Sequence, residues 1–134
     1  MSVKYTDNSK KVAEGIGDSL TRALTRIGLL AERYAKTDCP IDTGFLRNSI
    51  TFALSGEEAN ISEYASDAGD KQGTYSGTAP NDAKKAVYIG TNVEYGANVE
   101  LGTVLKGPRP FLKPAATEHK AEYKRIVEEE LKKG

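Results

Sequence analysis

The chain has one cysteine, one histidine, one methionine and no tryptophan among its 134 residues. A single thiol rules out an internal disulfide, and a single imidazole rules out a His-rich metal site. No apolar run approaches the roughly 20 residues of a membrane-spanning helix, so no membrane partner is expected. Nor is there an excess of charge of either sign, since nineteen Lys and Arg stand against nineteen Asp and Glu. Without an overall positive field the main driving term for nucleic-acid binding is missing, and no specific nucleic acid is expected as a partner. The first eleven residues are polar and charged, unlike a secretory leader, and point to a reducing cytoplasm. The 38% of hydrophobic residues suffices for one core at this length, so one domain over residues 1–134 is expected.

What the chain does contain is a long helical signal. Val12, Ile16, Leu20, Leu24, Ile27, Ala31 and Tyr34 recur at steps of three and four, which predicts a helix over 7–36. Lys10, Lys11, Arg22, Arg26 and Arg33 lie on its charged side, which faces water or a partner. At about 1.5 Å per residue such a helix outgrows a domain of this size, so part of it projects or is covered by a neighbour. Pro40 and the Asp, Pro and Gly residues of 38–44 end it, with Asp42 as the natural cap of the turn. Residues 46–54 and 86–91 read as strands. Between them, 55–85 reads as a long mobile loop with room for a short strand around Ile61 and Tyr64. Val93 to Leu101 fits a short helix or an extended segment equally. A closing helix is expected over 114–132. The fold class is therefore α+β: a long N-terminal helix and a C-terminal helix packed on a small antiparallel sheet.

Few residues carry a chemical signature. Ile41-Asp42-Thr43-Gly44 echoes the way aspartic proteases present a catalytic carboxylate, and a homodimer would supply the second copy. Its position after Pro40 at a helix end favours a turn cap over an enzyme. Cys39 with His119 as base lacks a third, orienting group, and His119 falls on the polar side of the last helix. Lys106, Arg109 and Lys113 form a basic cluster without interleaved aromatics, which reads as a solvated face or a surface for an acidic protein. The charged side of the first helix, with Arg22 and Arg26, is one candidate interface and suits a small protein-binding regulatory module. Tyr75, short of local apolar partners, is another.

Four blocks together go further: Pro40-Ile41-Asp42-Thr43-Gly44-Phe45-Leu46-Arg47-Asn48-Ser49-Ile50; Tyr88-Ile89-Gly90-Thr91-Asn92-Val93-Glu94-Tyr95-Gly96; Val99-Glu100-Leu101-Gly102-Thr103; and Arg109-Pro110-Phe111-Leu112-Lys113-Pro114-Ala115. Their order and spacing resemble the HK97 gp10 family of tailed-phage morphogenesis proteins along nearly the whole chain. The resemblance implies a structural protein of tail completion or head–tail joining, not an enzyme, with no catalytic residue, cofactor, metal or small-molecule substrate. It further implies a ring of copies, sixfold in the assembled virion, between the tail tube protein and the head-connector or neck proteins. The protein would reside in the virion, and in the host cytoplasm during assembly. In that frame Asp42 caps its turn and holds Arg47, while Gly44 and Gly90 permit tight backbone. Glu100, Gly102 and Thr103 with Arg109 and Pro110 shape the approach to the last helix. Gly96-Ala97-Asn98 departs from the Ala-Pro pair with an aromatic more usual there.

Overall fold

The computed structural model describes residues 7–41, 43–81, 85–102 and 107–133, with side chains from residue 17 onward. The elements run α1 (Asp7–Asp38), α2 (Phe45–Ser49), β1 (Thr51–Leu54), β2 (Glu63–Ala65), β3 (Gln72–Thr74), β4 (Val87–Gly90), α3 (Gly96–Leu101), α4 (Leu112–Thr117) and α5 (Lys120–Lys133). This is an α+β fold. Its strands form two separate antiparallel pairs, β1 with β4 and β2 with β3.

The 32 residues of α1 span about 48 Å at 1.5 Å each. Its buried stripe is Ser19, Ala23, Ile27, Ala31 and Ala35, continued by Cys39 just past the helix end. These lie four apart, along one of the helix's natural ridges. Most are small, so neighbouring elements come close to the helix backbone. Of the larger residues in the expected stripe, Ile27 is buried, whereas Leu20, Leu24 and Tyr34 are only partly so. Hydrophobicity weights large side chains, but here the contact line is set by small ones.

The β1–β4 ribbon lies on that line. Its register pairs Thr51 with Gly90, Phe52 with Ile89, Ala53 with Tyr88 and Leu54 with Val87. Phe52, Leu54, Val87 and Ile89 share the face toward α1. The Phe52 ring occupies the space where any side chain at Gly28 would begin. Thr51, Ala53, Tyr88 and Gly90 share the outer face and line a groove of ≈ 270 Å³ beneath Tyr75, Ala79 and Pro80.

On its other side α1 carries α5, antiparallel to it. Tyr34 donates to Glu122, Arg26 pairs with Glu129, and Arg22 and Arg26 both reach Glu130. Ala23, Ile27 and Ile126 are buried between the helices, with Val87 packed against them. A second core joins the C-terminal half of α1 to the loops: Ala35, Cys39, Leu46, Ile50, Val93, Phe111 and Ala115.

Several expected boundaries move. The predicted strand 46–54 splits into the helical turn α2 and the strand β1, because Leu46, Ser49 and Ile50 supply a buried helical face before the alternation starts. Residues 55–85 contain the β2–β3 hairpin, in which Tyr64 lies across Gly73 and its ring fills the place of the missing side chain. Val93 to Leu101 is resolved in favour of a helix over its second part. The helix expected at 114–132 is two, α4 and α5. The Ala115 carbonyl takes the Tyr123 hydroxyl, and His119 at the break stacks on Tyr34 with ring centroids 3.6 Å apart. His119 is thus partly buried against α1, not simply solvated.

Two expectations follow. Alanine at Gly28 gains about 1 kcal/mol of helix propensity, but its Cβ would lie 2.3 Å from the Phe52 ring, and overpacking of that kind costs about 1–3 kcal/mol. Thermal denaturation should show Gly28→Ala destabilised and the Gly28→Ala/Phe52→Leu pair less destabilised than the sum of the single changes. The second concerns Glu130. Burial alone would raise its carboxyl, but hydrogen bonds from Arg22, Lys133 and Arg26, with the Lys133 charge, hold it below its ordinary value of 4.5. A depressed carboxylate contributes stability that is complete above the unfolded value and is lost as pH falls through the folded one. Stability should therefore decline below about pH 4.5, and Glu130→Gln should make that decline shallower in denaturant titrations across pH.

Candidate functional site

The four sequence blocks converge on one end of the molecule. Pro40, Ile41, Thr43, Gly44, Phe45 and Leu46 from the first, Tyr95 from the second, Val99 from the third and Arg109 from the fourth line an open cleft of ≈ 420 Å³. Each block also forms a joint behind the cleft.

In the first block, Gly44 adopts φ +79, and a Cβ there would lie 2.4 Å from the Asp67 carboxyl carbon. Asp67 comes from the β2–β3 turn; its N–H donates to the Thr43 carbonyl and its carboxylate accepts from Arg47 and Asn48. Asn48 also donates to the Ala65 carbonyl, so α2 and the hairpin are locked together. Arg47 is held by Asp67, twenty residues on. Asp42 itself lies outside the described residues, as do Thr103 and Lys106. The Phe45 ring packs against Tyr64, with Lys71 Nζ 5.1 Å from its centroid and 5.8 Å from that of Tyr95.

The second block closes a polar relay. Val93 N–H donates to Thr91 Oγ1, the Thr91 and Ser49 hydroxyls share a hydrogen bond, and Ser49 donates to the Leu46 carbonyl. Asn92 donates its amide to the Thr74 carbonyl and accepts from the Tyr64 hydroxyl. Tyr75 belongs to this hub: its hydroxyl donates to the Ser49 carbonyl at 2.6 Å and accepts from Asn92 N–H. Burial pushes its pKa up. The expected docking tyrosine is therefore an internal strut. Gly96 is buried where a Cβ would meet Thr91 at 2.8 Å. Gly90, expected to permit a tight backbone, has nothing within 4 Å of its missing Cβ and instead leaves the outer groove of the ribbon open.

The third and fourth blocks form a clamp. The Glu100 carboxylate accepts three backbone N–H groups, from Phe111 and Leu112 on one oxygen and Lys113 on the other. It thereby caps the start of α4, whose own preceding residue Phe111 offers no side-chain acceptor. The Arg109 N–H donates to the Val99 carbonyl. Gly102, at φ +81, lets the backbone of Pro108 approach to 2.7 Å from where its Cβ would be. Phe111 is completely buried as a result, and Pro110 stays at the exposed surface beside it. The role of Glu100 was not legible in sequence beyond its place in a block, since its three partners are backbone groups eleven to thirteen residues away.

The cleft mixes apolar and polar groups, with Ile41, Phe45 and Tyr95 beside Thr43 and Arg109. Ile41 is 59% exposed, Tyr95 39% and, on α3 beside it, Leu101 76%, and Arg109 is exposed too. These are large apolar side chains held at the surface by the hydrogen-bonded joints behind them. Cys39 is buried in the core, and burial pushes its thiol up to about 11, although Arg47 and Arg109 oppose the shift. It is protonated at neutral pH, and its S–H lies toward the Pro40 carbonyl. No group of three or more metal-ligating side chains occurs among the described residues, and no described helix is long and apolar enough to cross a membrane. Arg22 and Arg26, expected to face a partner, bind Glu129 and Glu130 of the same chain.

If Glu100 is the clamp, Glu100→Ala should cost about 2 kcal/mol by leaving backbone donors unpaired. Glu100→Gln, which keeps one acceptor oxygen, should cost less, as read from urea denaturation midpoints. No protein-family model, curated protein or solved structure matches the chain.

Proposed function

We propose that this protein is a structural component of a tailed phage that completes the tail and joins it to the head. It acts as a ring of copies that caps the tail tube protein and presents a docking face to the head-connector or neck proteins. It catalyses nothing and needs no cofactor, and its place is the virion, after assembly in the host cytoplasm. The observation that carries this reading is the convergence of four blocks, spread over about seventy residues, on one cleft with exposed Ile41 and Tyr95. The resemblance of those blocks to tailed-phage morphogenesis proteins supplies the biological setting. Mechanically, capping the last ring of the tube stops its growth and replaces the tube's own end with a new surface. The rigid joints behind the cleft suit that task, because a docking face that bends cannot hold two large assemblies in register.

The test is electron microscopy of lysates from the encoding phage or prophage with the gene deleted and then restored. Deletion should leave filled heads beside unjoined tails, and the wild-type gene should restore joined virions. Ile41→Asp and Tyr95→Asp change exposed side chains, so both proteins should fold, as judged by circular dichroism, and yet fail to restore joining. Joined virions of normal form in the deletion strain would overturn the reading.

A further inference from the structure

A second surface lies away from the cleft, along the seam between α1 and α5. There the two antiparallel helices leave a groove of ≈ 480 Å³ floored by Leu29, Leu30 and Ile126. Leu29 is 50% exposed there, beside partly buried Leu30. Three guanidinium groups line the groove, those of Arg26, Arg33 and Arg125, against the two carboxylates of Glu122 and Glu129.

Both carboxylates are already engaged. Glu129 takes Arg26 at 3.2 Å, and Glu122 accepts the Tyr34 hydroxyl at 2.6 Å. Arg33 and Arg125 are exposed and pair with no carboxylate of the described residues. The contrast along α1 is informative: Arg22 and Arg26 are neutralised by Glu129 and Glu130 of α5, whereas Arg33, farther along the groove, is not. The result is an apolar floor with two unneutralised cations on its opposite banks, one on each helix.

We infer that this groove is a docking site for an acidic amphipathic helix of a partner protein. A groove between two antiparallel helices is shaped for the side-chain ridge of a third. Arg26 and Arg33 are seven residues apart, so the seam accommodates about two helical turns. An occupant with apolar residues every three or four positions meets Leu29 and Ile126. Carboxylates on its two flanks meet Arg33 and Arg125. The proposal does not rest on the phage reading, since it uses none of the four blocks.

The experiment uses the full chain and two fluorescent synthetic 18-residue peptides. One has leucine at helical spacing with glutamate elsewhere; the other has lysine in place of every glutamate. Fluorescence anisotropy should show the acidic peptide binding at least about tenfold more tightly than the basic one, with affinity falling as salt rises. The Arg33→Glu/Arg125→Glu protein, which loses no ion pair, should bind the acidic peptide about tenfold more weakly or worse, and Leu29→Asp should do the same. Ile41→Asp, at the cleft, should bind it as the wild type does. Equal binding of the two peptides, or binding indifferent to the arginine and leucine changes, overturns the inference. So does sedimentation showing that the groove changes dissolve a dimer of the chain while leaving peptide binding intact.

Discussion

The close approach of β1 to α1 is the constraint on which the rest of the molecule depends. At Gly28 the helix offers bare backbone, and the Phe52 ring fills the space. A two-stranded ribbon is marginal alone, so β1 and β4 persist because one face lies hard against a helix. That seating determines where β4 ends, and hence where Thr91 and Asn92 begin their relay to Ser49, Tyr64 and Thr74. The cleft inherits its shape from this chain of placements. Its exposed side chains stand on buried ones: Ile41 follows Cys39, Tyr95 precedes the buried Gly96, and Arg109 leads into Phe111.

Polar groups, more than hydrophobic area, hold the loops to this frame. Asp67, Asn48, Asn92, Tyr75 and Glu100 each bind backbone groups of another segment or side chains far along the chain. Asn48 and Asn92 also occupy the outer carbonyls of β2 and β3, which blunts the edges of that small hairpin. A chain with 38% hydrophobic residues can in this way order a long connection that has little apolar surface of its own.

Sequence reading recovered the α+β class, the long first helix and the placement of β4, because periodicity and β-branched runs are local signals. It missed the contact line of α1, since Ser19, Ala23 and Ala35 are small and carry no hydrophobic weight. It missed the break between α4 and α5, where no proline or glycine stands and the Tyr123 hydroxyl reaches back eight residues to the Ala115 carbonyl. The blocks that build the cleft were visible as strings, but their partners were not. Asp67 for Arg47, and backbone amides for Glu100, are tertiary facts with no footprint in spacing. Arg22 and Arg26 looked partner-facing for the same reason, their carboxylates lying more than a hundred residues downstream.

The Glu100 clamp has an evolutionary consequence. Its hydrogen bonds to Phe111, Leu112 and Lys113, with the Val99–Arg109 bond beside it, staple together both ends of the stretch between Leu101 and Pro108. Once the ends of an excursion are stapled, lengthening it adds only slowly to the entropy of closing it. The two residues that the backbone bond joins, Val99 and Arg109, both line the cleft. Insertions within the stretch would lengthen the tether without loosening the Glu100 clamp, so a lineage could vary this stretch without renegotiating how the protein folds.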